Sequence, residues 1–148
     1  MAADLAPEAR MLIEHQCIQL NYAFARYIDN AQLEDLIDLF TEDCVFDRAG
    51  PVHRGHAELR EGMAQRPPIT TRHLMTNFWF DRVESDIATG VAVALTFHAH
   101  GPFEGTPLVY ATTHGRMVEM HDEYRRTPAG WKFAKRIASP VFVPAVWP

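Results

Sequence analysis

Residues 71–100 read TRHLMTNFWFDRVESDIATGVAVALTFHAH, and two strands are written into them. HLMTNFWFDRV (73–83) and ATGVAVALTFHAH (88–100) are rich in β-branched and aromatic residues, and the intervening ESD is turn chemistry. The polar residues in these runs keep a period. Counting by twos from His73 passes Met75, Asn77 and Trp79; counting back from His98 passes Thr96, Ala94 and Ala92. Side chains alternate across a strand, so each set shares one face. A face made of imidazoles, an amide and alanines leaves space instead of filling a core, so the sheet is expected to curve around a pocket.

Working outward, PLVYATTHGRMVEMHDEYRR (107–126) and GWKFAKRIASPVFV (130–143) read as two more long strands, with GPFEG and TPAG as the turns before them. Consecutive strands joined by short turns make an antiparallel meander. Upstream the period changes to three and four. After Pro7, suited to a first helical turn, apolar residues recur at Ile13, Cys17, Leu20, Phe24 and Tyr27/Ile28, a helix expected to end near Asp29 and Asn30. AQLEDLIDLF (31–40) is a second short helix, CVFD (44–47) a short strand, RAGPVHRG (48–55) a loop, and HAELREGMAQR (56–66) a third helix stopped by Pro67 and Pro68. Helices first and a sheet afterwards define the α+β class. The expected architecture is a cone-shaped α+β barrel, its N-terminal helices packed in a curved, mostly antiparallel sheet.

The 148 residues, 47% hydrophobic and 11% aromatic, suit one domain over 1–148 with a real core. A net charge of -5, with no basic run longer than Arg125 and Arg126, argues against nucleic acid or an anionic membrane as partner. The N-terminus lacks the basic-then-apolar pattern of a signal peptide, and no apolar stretch is long enough to span a bilayer, so a cytoplasmic protein is expected. Cys17 and Cys44 sit in apolar patterns without CxxC spacing and read as buried thiols.

Eight histidines are distributed, not clustered as a tag, and their placement carries the chemistry. Ile18, Tyr22, Ala25 and Asp29 form a stripe on the first helix that ends in a carboxylate. If that stripe faces the sheet, Asp29 accepts a hydrogen bond from one nitrogen of His73, fixing its tautomer and leaving the other nitrogen to take a proton. Without Asp29 against it, His73 reads as an ordinary core histidine. His98 and His100 form HxH, a spacing that metals use, but no third ligand accompanies them, and neither a metal nor another cofactor is expected. Asn77, Trp79 and Tyr22 are candidates for orienting substrate, and Tyr110 for an apolar pocket wall. Arg116 shares parity with Val118 and Met120; an inward arginine needs a carboxylate partner or an anionic ligand group.

The runs YAFARYIDNAQLEDLIDLFTEDCVFD, TRHLMTN and RRTPAGWKFAKR resemble the SnoaL-like branch of the nuclear transport factor 2 superfamily over roughly residues 10–138, most of all the scytalone dehydratases and hexachlorocyclohexane dehydrochlorinases. The resemblance implies an Asp–His proton-abstracting dyad at Asp29 and His73, with His98 as a second pocket histidine. The two carbonyl-polarising tyrosines of the dehydratases fall on Ile28 and Arg48, and their later serine and asparagine near Val118 and Met120, so the base is kept and its electrophilic partner is not. The dehydrochlorinases' late pocket arginine would fall on Arg125 or Arg126. The resemblance also implies a homo-oligomer, trimer before dimer, through the outer sheet face bearing Val91, Val93, Leu95 and Phe97. The C-terminal VFVPAVWP reads equally as packed tail or as lid or subunit contact.

The function expected is a cofactor-free lyase acting on a hydrophobic, aromatic small molecule and releasing water, halide or an aldehyde. Two rivals remain: an isomerase, cyclase or hydrolase on the same fold, and a non-catalytic small-molecule-binding module. An isomerase wants a tyrosine or protonated Asp opposite His73. A non-catalytic module predicts a filled pocket, or an Asp29 turned to solvent.

Overall fold

The computed structural model describes residues 5–109 and 115–145. Helix α1 runs Pro7–Asp29, and its buried stripe is Ile13, Cys17, Asn21, Phe24 and Ile28. Ile13, Cys17, Phe24 and Ile28 are buried as expected, whereas Leu20 and Tyr27 are only partly buried and the amide of Asn21 stands in the stripe instead of Leu20. Two short helices, α2 (Leu33–Asp38) and α3 (Gly55–Ala64), flank strands β1 (Phe40–Asp47) and β2 (Val52–Arg54). RAGPVHRG is therefore not wholly a loop. Asp47 Oδ1 accepts from the Ala49 N–H at 2.8 Å, and Ala49 turns the chain with φ 61°, which lays Val52–Arg54 antiparallel to β1.

The long strands are β3 (Ile69–Val83), β4 (Ile87–His100), β5 (Arg116–Thr127) and β6 (Gly130–Phe142). The sheet order is β2-β1-β6-β5-β4-β3, antiparallel throughout except where β1 runs parallel to β6. The strand expected from residue 107 begins only at Arg116; residues 107–109 belong to no strand, and 110–114, Tyr110 among them, lie outside the described residues. Register shifts in β3 between Thr76 and Trp79 and again between Phe80 and Arg82, and in β5 before Val118 and before Tyr124, curl the sheet around α1.

Two apolar clusters fill the cone unequally. Between α1, the short helices and the β1–β6 part of the sheet, one cluster is made of aromatic and long aliphatic residues, among them Phe24, Ile37, Phe40, Phe46, Leu59 and Phe133. On the concave face of the meander the buried set is Met75, Ala92, Ala94, Val118, Met120 and Ala138. Three of those six are alanines, so the sheet there holds a void between itself and the helix. Cys17 and Cys44 are fully buried and unpaired; burial, then the charges of Asp122 and Glu14, push the Cys17 thiol up to about 12, which leaves it unreactive. Among the described residues no helix is long and apolar enough to cross a membrane.

The β3 bulge depends on a close approach by β4. A Cβ added to Gly90 would lie 2.3 Å from the Trp79 carbonyl oxygen and 3.2 Å from the Phe80 Cα. Both neighbours are backbone and cannot swing away. Gly90→Ala is therefore expected to cost about 1–3 kcal/mol of unfolding free energy, read as a lowered urea midpoint at unchanged slope. A midpoint equal to wild type would show that β3 relaxes freely at the bulge.

Candidate active site

Asp29 is the last residue of α1, at the carbonyl end of a helix, where the helix dipole disfavours a carboxylate. Donors from β3 offset that placement. Thr71 donates its hydroxyl to Oδ1 at 2.8 Å, the His73 backbone N–H donates to Oδ2 at 2.8 Å, and His73 Nδ1 meets Oδ1 at 2.6 Å. Arg66 Nη1 caps the same turn by donating to the Ile28 carbonyl at 3.0 Å. Burial acts to raise the Asp29 carboxyl, but the bonds and charge of His73 and the Thr71 hydroxyl outweigh it and hold the group below its usual range.

This depression has a sign that can be measured. Asp29 titrates lower in the folded chain than in the unfolded one, so its contribution to stability is complete above the ordinary carboxylate pKa of about 3.9 and is lost as pH falls through the depressed value. The stability gap between wild type and Asp29→Asn, followed by urea titration, is expected to shrink as pH is lowered from about 5 to about 3. A gap independent of pH would mean that Asp29 is not held ionised by His73.

An ionised carboxylate only accepts, so Nδ1–H faces Asp29, and in the neutral ring Nε2 keeps the lone pair. The two side chains are nearly closed to solvent, 11% exposed for His73 and 8% for Asp29. Phe24 stands edge-on to the imidazole, ring centroids 6.4 Å apart at 84°, and fixes its plane.

His73 forms part of the wall of a cavity of about 400 Å³ between α1 and the concave sheet. The β3–β4 ladder builds one side of it in three rungs, Ile69 opposite His100, Thr71 opposite His98, and His73 opposite Thr96, all six facing the space. The row containing His73 continues through Thr96 to Arg116 on β5. Phe24, Ile28, Phe46, Val118, Met120 and Ala138 supply apolar wall, and Arg48 and Arg66 enter from loops. Burial, together with the charge of His100, lowers the His98 pKa, favouring a neutral ring that can donate as well as accept. Among the described residues no Asp, Glu or Tyr lines the cavity, and no three His, Cys, Asp or Glu side chains converge as a metal site.

The structure thus brings together His73, Asp29, His98 and Arg116 and leaves three expected residues outside. Asn77 is exposed with φ 51°, and Trp79 is 69% exposed with its indole N–H donating to Asp81 at 3.1 Å. The cause is the bulge. The extra residue inverts the parity of β3 beyond Thr76, so Trp79 turns out and Phe78 and Phe80 turn in to pack against the core clusters. Tyr22 is 48% exposed, edge-on to Phe78 at 5.7 Å, because its stripe runs along the margin of the buried face centred on Asn21, Phe24 and Ile28. Arg125 and Arg126 are not pocket residues either. Arg125 pairs with Asp43 across the surface at 3.0 Å, and Arg126 is exposed.

Sequence reasoning missed a second polar assembly, beneath the cavity. Arg136 and Asp122, both side chains fully buried, pair at 2.7 Å. Asn21 donates to the Tyr124 hydroxyl at 2.8 Å, Tyr124 donates to Asp122 at 2.9 Å, and Arg136 also reaches Asn21 Oδ1. The Arg136 guanidinium lies over the rings of Phe133 and Phe24, 4.0 and 4.4 Å from their centroids.

Comparison with known proteins agrees with this fold. The sequence profile of the SnoaL-like domain matches residues 9–137. Among solved structures, a proposed aromatic ring hydroxylase from Novosphingobium aromaticivorans superposes with a TM-score of 0.76 at 24% identity, covering 95% of each chain. A proposed scytalone dehydratase from the same organism gives 0.75 at 17% identity over 93% of this chain and 89% of the other. LinA gives 0.75 at 16% identity over 96% and 95%. At these identities the likeness is one of fold, and other neighbours are described as NTF2-like or cystatin-like. No curated protein matches the chain by sequence.

Proposed function

The chain belongs to the SnoaL-like domain family, and from that premise we propose that it is a cofactor-independent lyase in which His73, oriented by Asp29, is the general base. The observation that carries this reading is the 2.6 Å contact between His73 Nδ1 and Asp29 Oδ1 in the wall of an open cavity. An Asp-held imidazole with a free Nε2 removes one proton, and each candidate reaction begins with one proton removed. In an elimination Nε2 takes a proton from carbon, the C–H electron pair becomes the new double bond, and the neighbouring substituent leaves with its own pair as halide or, once protonated, as water. In a retro-aldol cleavage Nε2 takes a hydroxyl proton, the oxygen becomes the carbonyl of a departing aldehyde, and the electrons of the broken C–C bond stay on the other fragment.

His98 is assigned the hydrogen bond to the leaving group, as a neutral ring facing the same space from the adjacent strand. The apolar wall suits a hydrophobic, aromatic frame. The isomerase alternative finds no support in the lining, where no tyrosine or carboxylic acid stands among the described residues. The non-catalytic alternative is disfavoured by a cavity left open and an Asp29 turned to His73. Self-association through the outer sheet face, where exposed Leu74 and Phe142 add to the apolar residues of β4, belongs to the same proposal and is read by light scattering.

Ultraviolet assays with aryl β-hydroxy compounds and aryl halides, run with EDTA and without added cofactor, test the activity. New conjugated absorbance that disappears with His73→Gln supports the lyase. Turnover that needs a metal, or that survives His73→Gln, overturns it.

A further inference from the structure

The dyad leaves the charge of the cavity unexplained. Arg48, Arg66 and Arg116 all line it, and no Asp or Glu among the described residues does. Asp29, set behind His73 and outside the lining, already accepts from Thr71 and twice from His73, and its charge acts on Arg66 alone of the three arginines. Arg66 is engaged in part, with Nη1 on the Ile28 carbonyl at 3.0 Å and Nη2 3.5 Å from the Thr71 hydroxyl. The Arg48 guanidinium makes no ion pair or hydrogen bond to a described residue.

Three like charges in one half-enclosed space are costly. Burial first, then repulsion by Arg66 and Arg116, depresses the Arg48 pKa; burial does the same for Arg116 and, against the attraction of Asp29, for Arg66. Arginine does not escape this by losing its proton. What relieves the cluster is an anion, and the planar guanidinium fork matches a carboxylate with two parallel hydrogen bonds.

We propose that the substrate is an aromatic acid whose carboxylate is bound by Arg48, with Arg116 and Arg66 completing the cationic end of the cavity. Arg116 lies two strands from His73 in one row of the sheet, roughly 10 Å away at the usual strand spacing. That span places a carboxylate at one end of an aryl frame and the reacting C–H or O–H at the other. Binding through a group remote from the reacting bond is how a site fixes the geometry of proton removal. This inference deepens the lyase reading and rests on it only for calling the ligand a substrate.

Binding without turnover tests it separately. 2-Naphthoate, 2-naphthamide and 2-naphthylphosphonate are titrated calorimetrically at one ionic strength into wild type, Arg48→Met, Arg116→Gln and the dyad variant His73→Gln. Wild type and His73→Gln are expected to bind the carboxylate at least about ten-fold tighter than the amide, the scale of a charge-assisted hydrogen bond. Arg48→Met is expected to bring the two within about three-fold, and to melt higher than wild type because one of three like charges is gone. Arg116→Gln, expected to weaken the same preference, keeps the question answerable if Arg48→Met folds poorly. Equal binding of amide and carboxylate by wild type, an undiminished preference in Arg48→Met, or tighter binding of the phosphonate than of the carboxylate each overturns the proposal. A carboxylate preference with no turnover of any compound sinks the lyase and leaves the anion site; turnover of neutral aryl alcohols without that preference does the reverse.

Discussion

His73→Gln and Asp29→Asn are each expected to lower kcat/KM by about 10²–10⁴, the range for removal of a positioned general base. The double variant is expected to be little worse than His73→Gln alone. The reason lies in the geometry: Asp29 holds the Nδ1 proton and the ring plane, so once the imidazole is gone the carboxylate has nothing left to orient, and losses within such a unit do not add. Far-ultraviolet dichroism should be unchanged, because both substitutions are nearly isosteric. Fully additive losses would mean that Asp29 acts on the substrate directly, and an Asp29→Asn enzyme within a few-fold of wild type would reduce the carboxylate to a helix-end anchor for β3.

Legibility in the sequence followed regularity of the backbone. Strand β4 pairs with β5 from Ile87 to Thr96 without a register shift and with β3 on to His100, and its alternation placed Ala92, Ala94, Thr96 and His98 on the inner face, as the structure has them. Strand β3 was legible only as far as Thr76. Nothing in the alternation of TRHLMTN announces a left-handed asparagine, so the parity carried through Asn77 put Trp79 inside when it is outside. The contact between Asp29 and His73 was within reach because each residue sits on a periodic element ahead of that irregularity, though it took the family resemblance to pair them. Arg48 and Arg66 were not, since a loop has no period from which a direction follows; Arg48 stood out only as occupying a family tyrosine's position. The buried ion pair did leave a trace. Asp122 continues the inner parity of Val118 and Met120, and Arg136 lies among the buried Ala134 and Ala138 of β6. Opposite charges on the inner faces of two adjacent strands signal pairing where neither alone would.

The largest effect on stability is expected at that pair. Asp122→Ala leaves Arg136, fully buried between the rings of Phe24 and Phe133, with an uncompensated charge that water does not reach, a change that costs about 3–5 kcal/mol. For a chain of this length that corresponds to a melting temperature lowered by roughly 6–20 °C. The double replacement Asp122→Leu with Arg136→Met is expected to recover most of the loss, because desolvating the pair offsets much of its attraction. The cluster also has a directional role that an apolar pair does not reproduce. Asn21 accepts from Arg136 and donates to Tyr124, which pins the middle of α1 to β5 and β6 at one rotation, and Asp29 lies eight residues further along the same helix, about two turns. The double variant is therefore expected to be stable yet slower in turnover than wild type, with kcat falling more than KM rises, since the helix that aims Asp29 has lost its polar register. Recovery of both stability and turnover would show that apolar packing alone sets the rotation of α1.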